Sequence, residues 1–160
     1  MQRDIYKQLL RWKNKKTRKP LILNGARQVG KTYILREFGE KEYQKVAFFS
    51  LDRNQKVREV FEKSGNTADI LMALSAISQV NITPGDTLLV LDEIQDCPKA
   101  LEALKFFCEE TPDIHIVVAG SLLGLSLHDG TSYPVGKVEE MRLYPMTFLE
   151  FLNAMGKTQL

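Results

Sequence analysis

The sequence predicts an α/β fold in which a parallel β-sheet is covered by helices on both faces. Apolar runs of strand length, "PLILN", "KVAFFSLD", "TLLVLDE" and "IHIVVAGS", alternate with stretches of helical periodicity. Continuous apolar runs of this kind suit strands buried on both sides, as parallel sheets require. Three stretches rich in small or acidic residues fall at the carboxyl ends of such runs: "NGARQVGKT", the "DE" after "TLLVL", and the "GS" after "IHIVVA". Open α/β sheets bind ligands at those ends.

Each element has its own signal. "DIYKQLLRW" carries Ile5, Leu9 and Trp12 at helical spacing and opens the chain with a short amphipathic helix. Pro20 suits the first residue of the strand "PLILN". The helix after Gly30 is expected to run to about Phe38, with Gly39 as its stop. "KVAFFSLD" is the second strand. Two helices follow, "QKVREVFEKS" and "TADILMALSAISQV", the latter with Ile70, Leu74 and Ile77 on one face. "TPGD" is a turn before the strand "TLLVLDE". "CPKALEALKFFCEE" is helical, with Leu101, Leu104 and Cys108 on one side. "IHIVVAGS" is a strand, "DGTSYPVG" a loop, "KVEEMRLYP" a more polar strand and "MTFLEFLNAM" a final helix. The chain holds no internal repeat.

With 160 residues, 44% of them hydrophobic, the chain suits one domain spanning 1–160 with a real core. A net charge of +2 leaves no whole-domain basic character that would imply nucleic acid. The cationic residues gather locally in "RWKNKKTRK", which opens on Arg11 and closes on Lys19 and holds six of them. That stretch reads either as a DNA-backbone contact or as a solvated connection between the first helix and the first strand. Cys97 and Cys108 form no CxxC pair, and with His115 and His128 they lack the paired spacing of zinc sites. No basic, apolar leader opens the chain and no apolar run is long enough to span a membrane, so a reducing, cytoplasmic setting is expected.

The segment from Gly25 to Thr32 matches G-x-x-x-x-G-K-[ST] in full, between a strand and a helix, the context the pattern needs. Its glycines let successive amides turn inward as an anion nest, and the following helix adds its positive end. Gly25, Ala26, Arg27, Gln28, Val29, Gly30, Lys31, Thr32 and Tyr33 are the residues expected to hold a nucleoside triphosphate. Lys31 reaches its β- and γ-phosphates, and the Thr32 hydroxyl ligates magnesium. "GKT" at Gly156 is a decoy, because Phe151 stands where the earlier glycine belongs.

"LLVLDE" delivers Asp92 to a strand tip, where it can hold the magnesium shell, and Glu93 one residue on, where it can polarise a water. Ser121 ends a third strand and either senses the γ-phosphate or caps a following "LLGLSL" helix. Asp96, just before Pro98, reads as the start of a helix rather than as catalysis. "NKKT" at Asn14 has threonine where the base-reading aspartate of a GTPase belongs. The nucleotide is therefore expected to be ATP.

"GARQVGKT", "LVLDEIQ", "VVAGSLL" and "EEMRLYPMTFLEFL" together resemble the N-terminal ATPase domain of a group of bacterial and archaeal AAA+-type proteins. The resemblance covers nearly the whole chain. It implies an additional-strand, three-layer α/β/α P-loop core with sheet order 5-1-4-3-2, in which one strand is inserted between the phosphate-loop strand and the one carrying Asp92. It implies Lys31 and Thr32 in the phosphate loop, Asp92 and Glu93 at metal and water, and Ser121 as first sensor. Such proteins usually continue into a helical region and a nuclease-like C-terminal domain, so a chain ending at Leu160 reads as a fragment, with lid and output domain outside it. Where family members often show Gly-Arg this chain has Gly136 and Lys137, a point charge without a planar fork. Oligomerisation is left open.

Three functions compete: magnesium-dependent ATP hydrolysis with Lys31, Glu93 and Ser121 as catalytic residues; a nucleotide-gated switch acting on DNA or a partner with little turnover; and a P-loop kinase. The Asp-Glu pair suits water activation and disfavours the kinase.

Overall fold

The structure, a computed structural model, describes residues 4–26, 30–121, 134–145 and 147–156. Five strands, β1 (Leu21–Gly25), β2 (Lys45–Ser50), β3 (Thr87–Asp92), β4 (His115–Gly120) and β5 (Glu139–Leu143), form one sheet in the order β2-β3-β4-β1-β5. Every pairing is parallel. Taken from the other edge this is the expected 5-1-4-3-2, and β4 is the strand inserted between β1 and β3.

The three central strands are buried at every position, which is why their sequences are apolar without alternation. Their pleat still sorts side chains onto two faces. Ile22, Leu89, Leu91, Ile116 and Val118 pack beneath α3 (Gln55–Lys63), α4 (Thr67–Ser78) and α5 (Pro98–Glu110). Leu21, Leu23, Leu88, Val90 and Val117 pack against α1 (Asp4–Asn14) and α2 (Lys31–Glu42), where they meet Leu9, Trp12, Leu35 and Phe38. Each fully buried Leu or Phe contributes about 1.5–3 kcal/mol. The edge strand β5 alternates in exposure and turns Glu140 and Arg142 outward, which blunts the edge against further pairing.

Helix starts follow local chemistry. Asn54 and Asn66 cap α3 and α4, accepting from Val57 N at 3.2 Å and Asp69 N at 2.8 Å. The last helix, α6 (Phe148–Ala154), begins on a capping box between Thr147 and Glu150. Its polarity is inverted: Glu150 is 7% exposed and accepts from Asp4 N, while Phe148 and Leu149 are 71% and 73% exposed.

Two expectations about helices fail. Gly39 does not end α2, which continues to Glu42. A β-carbon at Gly39 would lie 2.7 Å from Val46 Cγ2, so the glycine is there to let α2 approach β2, not to stop the helix. Ile77 is exposed, and the buried face of α4 is Thr67, Ile70 and Leu74.

The basic stretch lies where the chain enters β1, at the opposite end of the strands from their carboxyl tips. Half of its cations are engaged within the fold. Lys13 Nζ donates to Glu42 O at 2.5 Å, Lys15 pairs with Glu139, and Arg18 donates to Lys13 O at 3.0 Å with its guanidinium over the Trp12 ring. Trp12 Nε1 in turn donates to Lys19 O at 2.7 Å. His115, at the start of β4, is buried with its Nδ1 2.6 Å from the Tyr43 hydroxyl. Cys97 is buried and Cys108 half-buried, both as free thiols, and His128 lies outside the described residues.

Candidate functional site

β1 ends at Gly25, and the chain re-emerges at Gly30 to start α2 at Lys31. Gly30 sits at φ 94°, a left-handed turn that glycine adopts without a side-chain clash, and it directs the first amides of α2 at the strand tips. Lys31 is only 9% exposed. Its ammonium bridges the loop by donating to Gly25 O at 2.7 Å and Ala26 O at 2.8 Å.

One turn of α2 also carries Thr32, whose Oγ1 donates to Asp92 Oδ2 at 2.6 Å. Asp92 is 5% exposed. A buried carboxylate needs partners to offset its lost hydration. Asp92 has two: the Thr32 hydroxyl and the Glu93 amide, which donates to Oδ1 at 2.9 Å.

Glu93 occupies φ 56° and ψ 49°, a left-handed conformation that costs a non-glycine residue about 1–3 kcal/mol. It leads into a single 3-10 turn, Ile94–Asp96, closed by Asp96 N donating to Glu93 O at 3.1 Å. Within that turn Gln95 Nε2 donates to Glu93 Oε2 at 2.5 Å.

These tips open on a cleft of about 550 Å³ lined by Gly30, Lys31, Thr32, Tyr33, Asp52, Asp92, Glu93, Asp96 and Ser121. Of the residues singled out in the sequence, Gly30, Lys31, Thr32, Tyr33, Asp92, Glu93 and Ser121 meet there. Gly25 and Ala26 join them through their carbonyl bonds to Lys31. Arg27, Gln28 and Val29 lie outside the described residues, as does the "LLGLSL" segment that Ser121 was weighed as capping.

Asp96 lies at the entry to α5, which starts at Pro98 with Cys97 as N-cap and no side-chain cap bond, and it also lines the cleft. Asp52 also lines it and carried no assigned role in the sequence. Its signal was there, since it closes the apolar stretch "KVAFFSLD"; it lies two residues beyond Ser50, the last residue of β2, which is in register with Asp92. Lys137 pairs with Glu109 at 3.3 Å, at the far end of α5.

Parallel order, inserted β4 and a glycine-headed helix facing an aspartate at the tip of β3, beyond that inserted strand, define the class: a P-loop ATPase-type, nucleotide-binding module. A family model described as an AAA domain matches residues 17–152, and the chain belongs to that family. No curated protein matches the chain. Among solved structures, a chain of Drosophila ORC bound to DNA aligns with a TM-score of 0.59 and 15% identity, covering 94% of this chain and 44% of that one. Cdc6p from Pyrobaculum aerophilum aligns with a TM-score of 0.54 and 16% identity, covering 87% of this chain and 42% of that one. At such identities the likeness is one of fold. The chain spans less than half the length of either structure. Among the described residues no helix is long and apolar enough to cross a membrane.

Proposed function

We propose that residues 1–160 form one domain that binds ATP with magnesium and hydrolyses its γ-phosphate. One observation supports this most: Thr32 and Asp92, singled out independently as metal ligands and 60 positions apart in sequence, bond directly at 2.6 Å. A hydroxyl and a carboxylate oxygen are hard donors that fit magnesium, which characteristically takes one or two carboxylates plus substrate phosphates. When bound, magnesium neutralises charge on the β- and γ-oxygens. The described lining of the cleft favours such a cation, because it holds four carboxylates, from Asp52, Asp92, Glu93 and Asp96, and one ammonium, from Lys31.

In this reading Gly25, Ala26, Arg27, Gln28, Val29, Gly30 and Tyr33 hold the nucleotide with Lys31 and Thr32. Lys31 stabilises charge on the transferring phosphoryl group, Glu93 orients the attacking water and accepts its proton, and Ser121 senses the γ-phosphate. Glu93→Gln tests it: the variant should bind ATP with wild-type affinity and release phosphate at least about 100-fold more slowly. Wild-type turnover in that variant removes Glu93 from the chemistry.

A second reading, a nucleotide-gated DNA contact with little turnover, draws on Arg11, Lys16 and Lys19. Their side chains make no bond among the described residues, and the Drosophila ORC structure is a DNA complex. Single-turnover phosphate release separates the two. DNA affinity that is independent of salt, or of neutralising these three cations, ends the second reading.

A further inference from the structure

We infer that Gln95 is the positioning residue for Glu93, locking one carboxylate oxygen so that the other faces the cleft. The inference rests on the ATPase reading above and adds a residue to it.

The turn after β3 puts Glu93 in a left-handed backbone that a glutamate does not choose unaided. Its carboxylate has one bonded partner among the described residues, the Gln95 amide, which donates to Oε2 at 2.5 Å. That leaves Oε1 to accept from a water. Glutamate otherwise has three side-chain torsions to fix, and a base out of place by an ångström loses much of its effect.

The other end of Gln95 has its own fixed setting. Its Oε1 is buried and has no hydrogen-bond partner among the described residues. A β-carbon on Gly120, at the tip of β4, would lie 2.7 Å from that oxygen and 2.8 Å from Ile94 Cγ2. Gly120 therefore leaves just enough room for the Gln95 amide between the β4 tip and the 3-10 turn. Close packing against the β4 tip thus limits where the amide can sit.

Gln95→Leu keeps the volume and removes the donor; Gln95→Glu keeps the length and brings a second carboxyl against Glu93. With full-length protein, Gln95→Leu should lower kcat about 10–100-fold while the affinity for a fluorescent ATP analogue and KM stay within about 2-fold. Gln95→Glu should move the acid limb of the kcat–pH profile to higher pH, because two facing carboxyls resist joint ionisation. A merely structural glutamine would lower the melting temperature of both variants and leave that limb in place. Gln95→Leu turning over at the wild-type kcat overturns the positioning role while hydrolysis stands. A wild-type protein that binds the analogue but releases no phosphate overturns the ATPase reading and this inference with it.

Discussion

Thr32 on α2 and Asp92 at the tip of β3 are joined by a 2.6 Å hydrogen bond, and this contact sets the spacing between the phosphate-loop helix and the acidic strand end. Their separate motifs mark both as expected ligands of one magnesium, but only the fold shows them in direct contact. The parallel order β3-β4-β1 brings them together across the inserted strand.

Removing the Thr32 hydroxyl should uncouple ATP binding from magnesium. Titration calorimetry of Thr32→Ala should show ATP affinity in magnesium reduced about 10–100-fold, with affinity in chelator little changed; Thr32→Ser should restore the magnesium effect. Equal losses with and without the cation would place Thr32 outside the metal's shell.

Lys31→Met keeps the aliphatic stem and removes the ammonium held by Gly25 O and Ala26 O. A charge-assisted bond from that ammonium to a phosphate oxygen would contribute about 1.5–3 kcal/mol, so ATP affinity should fall at least about tenfold. Unchanged binding in the same calorimeter would count against the loop as the phosphate site.

Gly39→Ala offers a stability test remote from the cleft. Alanine improves helix propensity by about 1 kcal/mol, but its methyl would stand 2.7 Å from Val46 Cγ2 and 3.3 Å from Leu88 Cδ2. Overpacking of a closed core costs about 1–3 kcal/mol, and both contacts are branched side chains on central and neighbouring strands. A net loss of about 1–2 kcal/mol in urea denaturation is expected; a gain would mean that α2 can lift off β2 freely.

His115 supplies a pH test. Burial, then the charges of Arg18 and Lys13, lowers its pKa from 6.5 to about 4. Burial pushes Tyr43 upward, so both partners of their hydrogen bond are neutral near neutral pH. The folded imidazole refuses a proton that the unfolded one accepts. Stability from this group is therefore complete above pH 6.5 and is lost as pH falls from 6.5 towards 4, by up to about 3 kcal/mol. His115→Gln should flatten the melting temperature over that window, and an equally steep profile in the variant would assign the acid loss to other groups.

Reading the chain as a string recovered the elements that obey local rules. The central strands were legible because parallel strands covered on both faces must be apolar throughout, and "GARQVGKT" stood out because the G-x-x-x-x-G-K-[ST] pattern allows few residues at its fixed positions. Gly39 was misread because a glycine that ends a helix and one that admits a neighbouring strand look alike until Val46 is placed against it. That Asp96 also lines the cleft was not legible, because proline marks the start of α5 without saying which way the preceding acid faces. Gln95 stood in the quoted "LVLDEIQ" but with no role of its own, since what it does depends on reaching Glu93 Oε2 while packing close to Gly120.

The amino-acid sequence by itself determined the α/β class, the strands and the phosphate-loop pattern, because these depend on burial periodicity and on backbone conformations that few residues allow. Only the tertiary structure decided which side chains bond directly, Thr32 with Asp92 and Glu93 with Gln95, and put Asp52 and Asp96 at the same cleft as Lys31, with Lys13, Lys15 and Arg18 engaged with the fold. Distances of a few ångströms between residues tens of positions apart are set by how strands order and helices seat, and no local spacing encodes that.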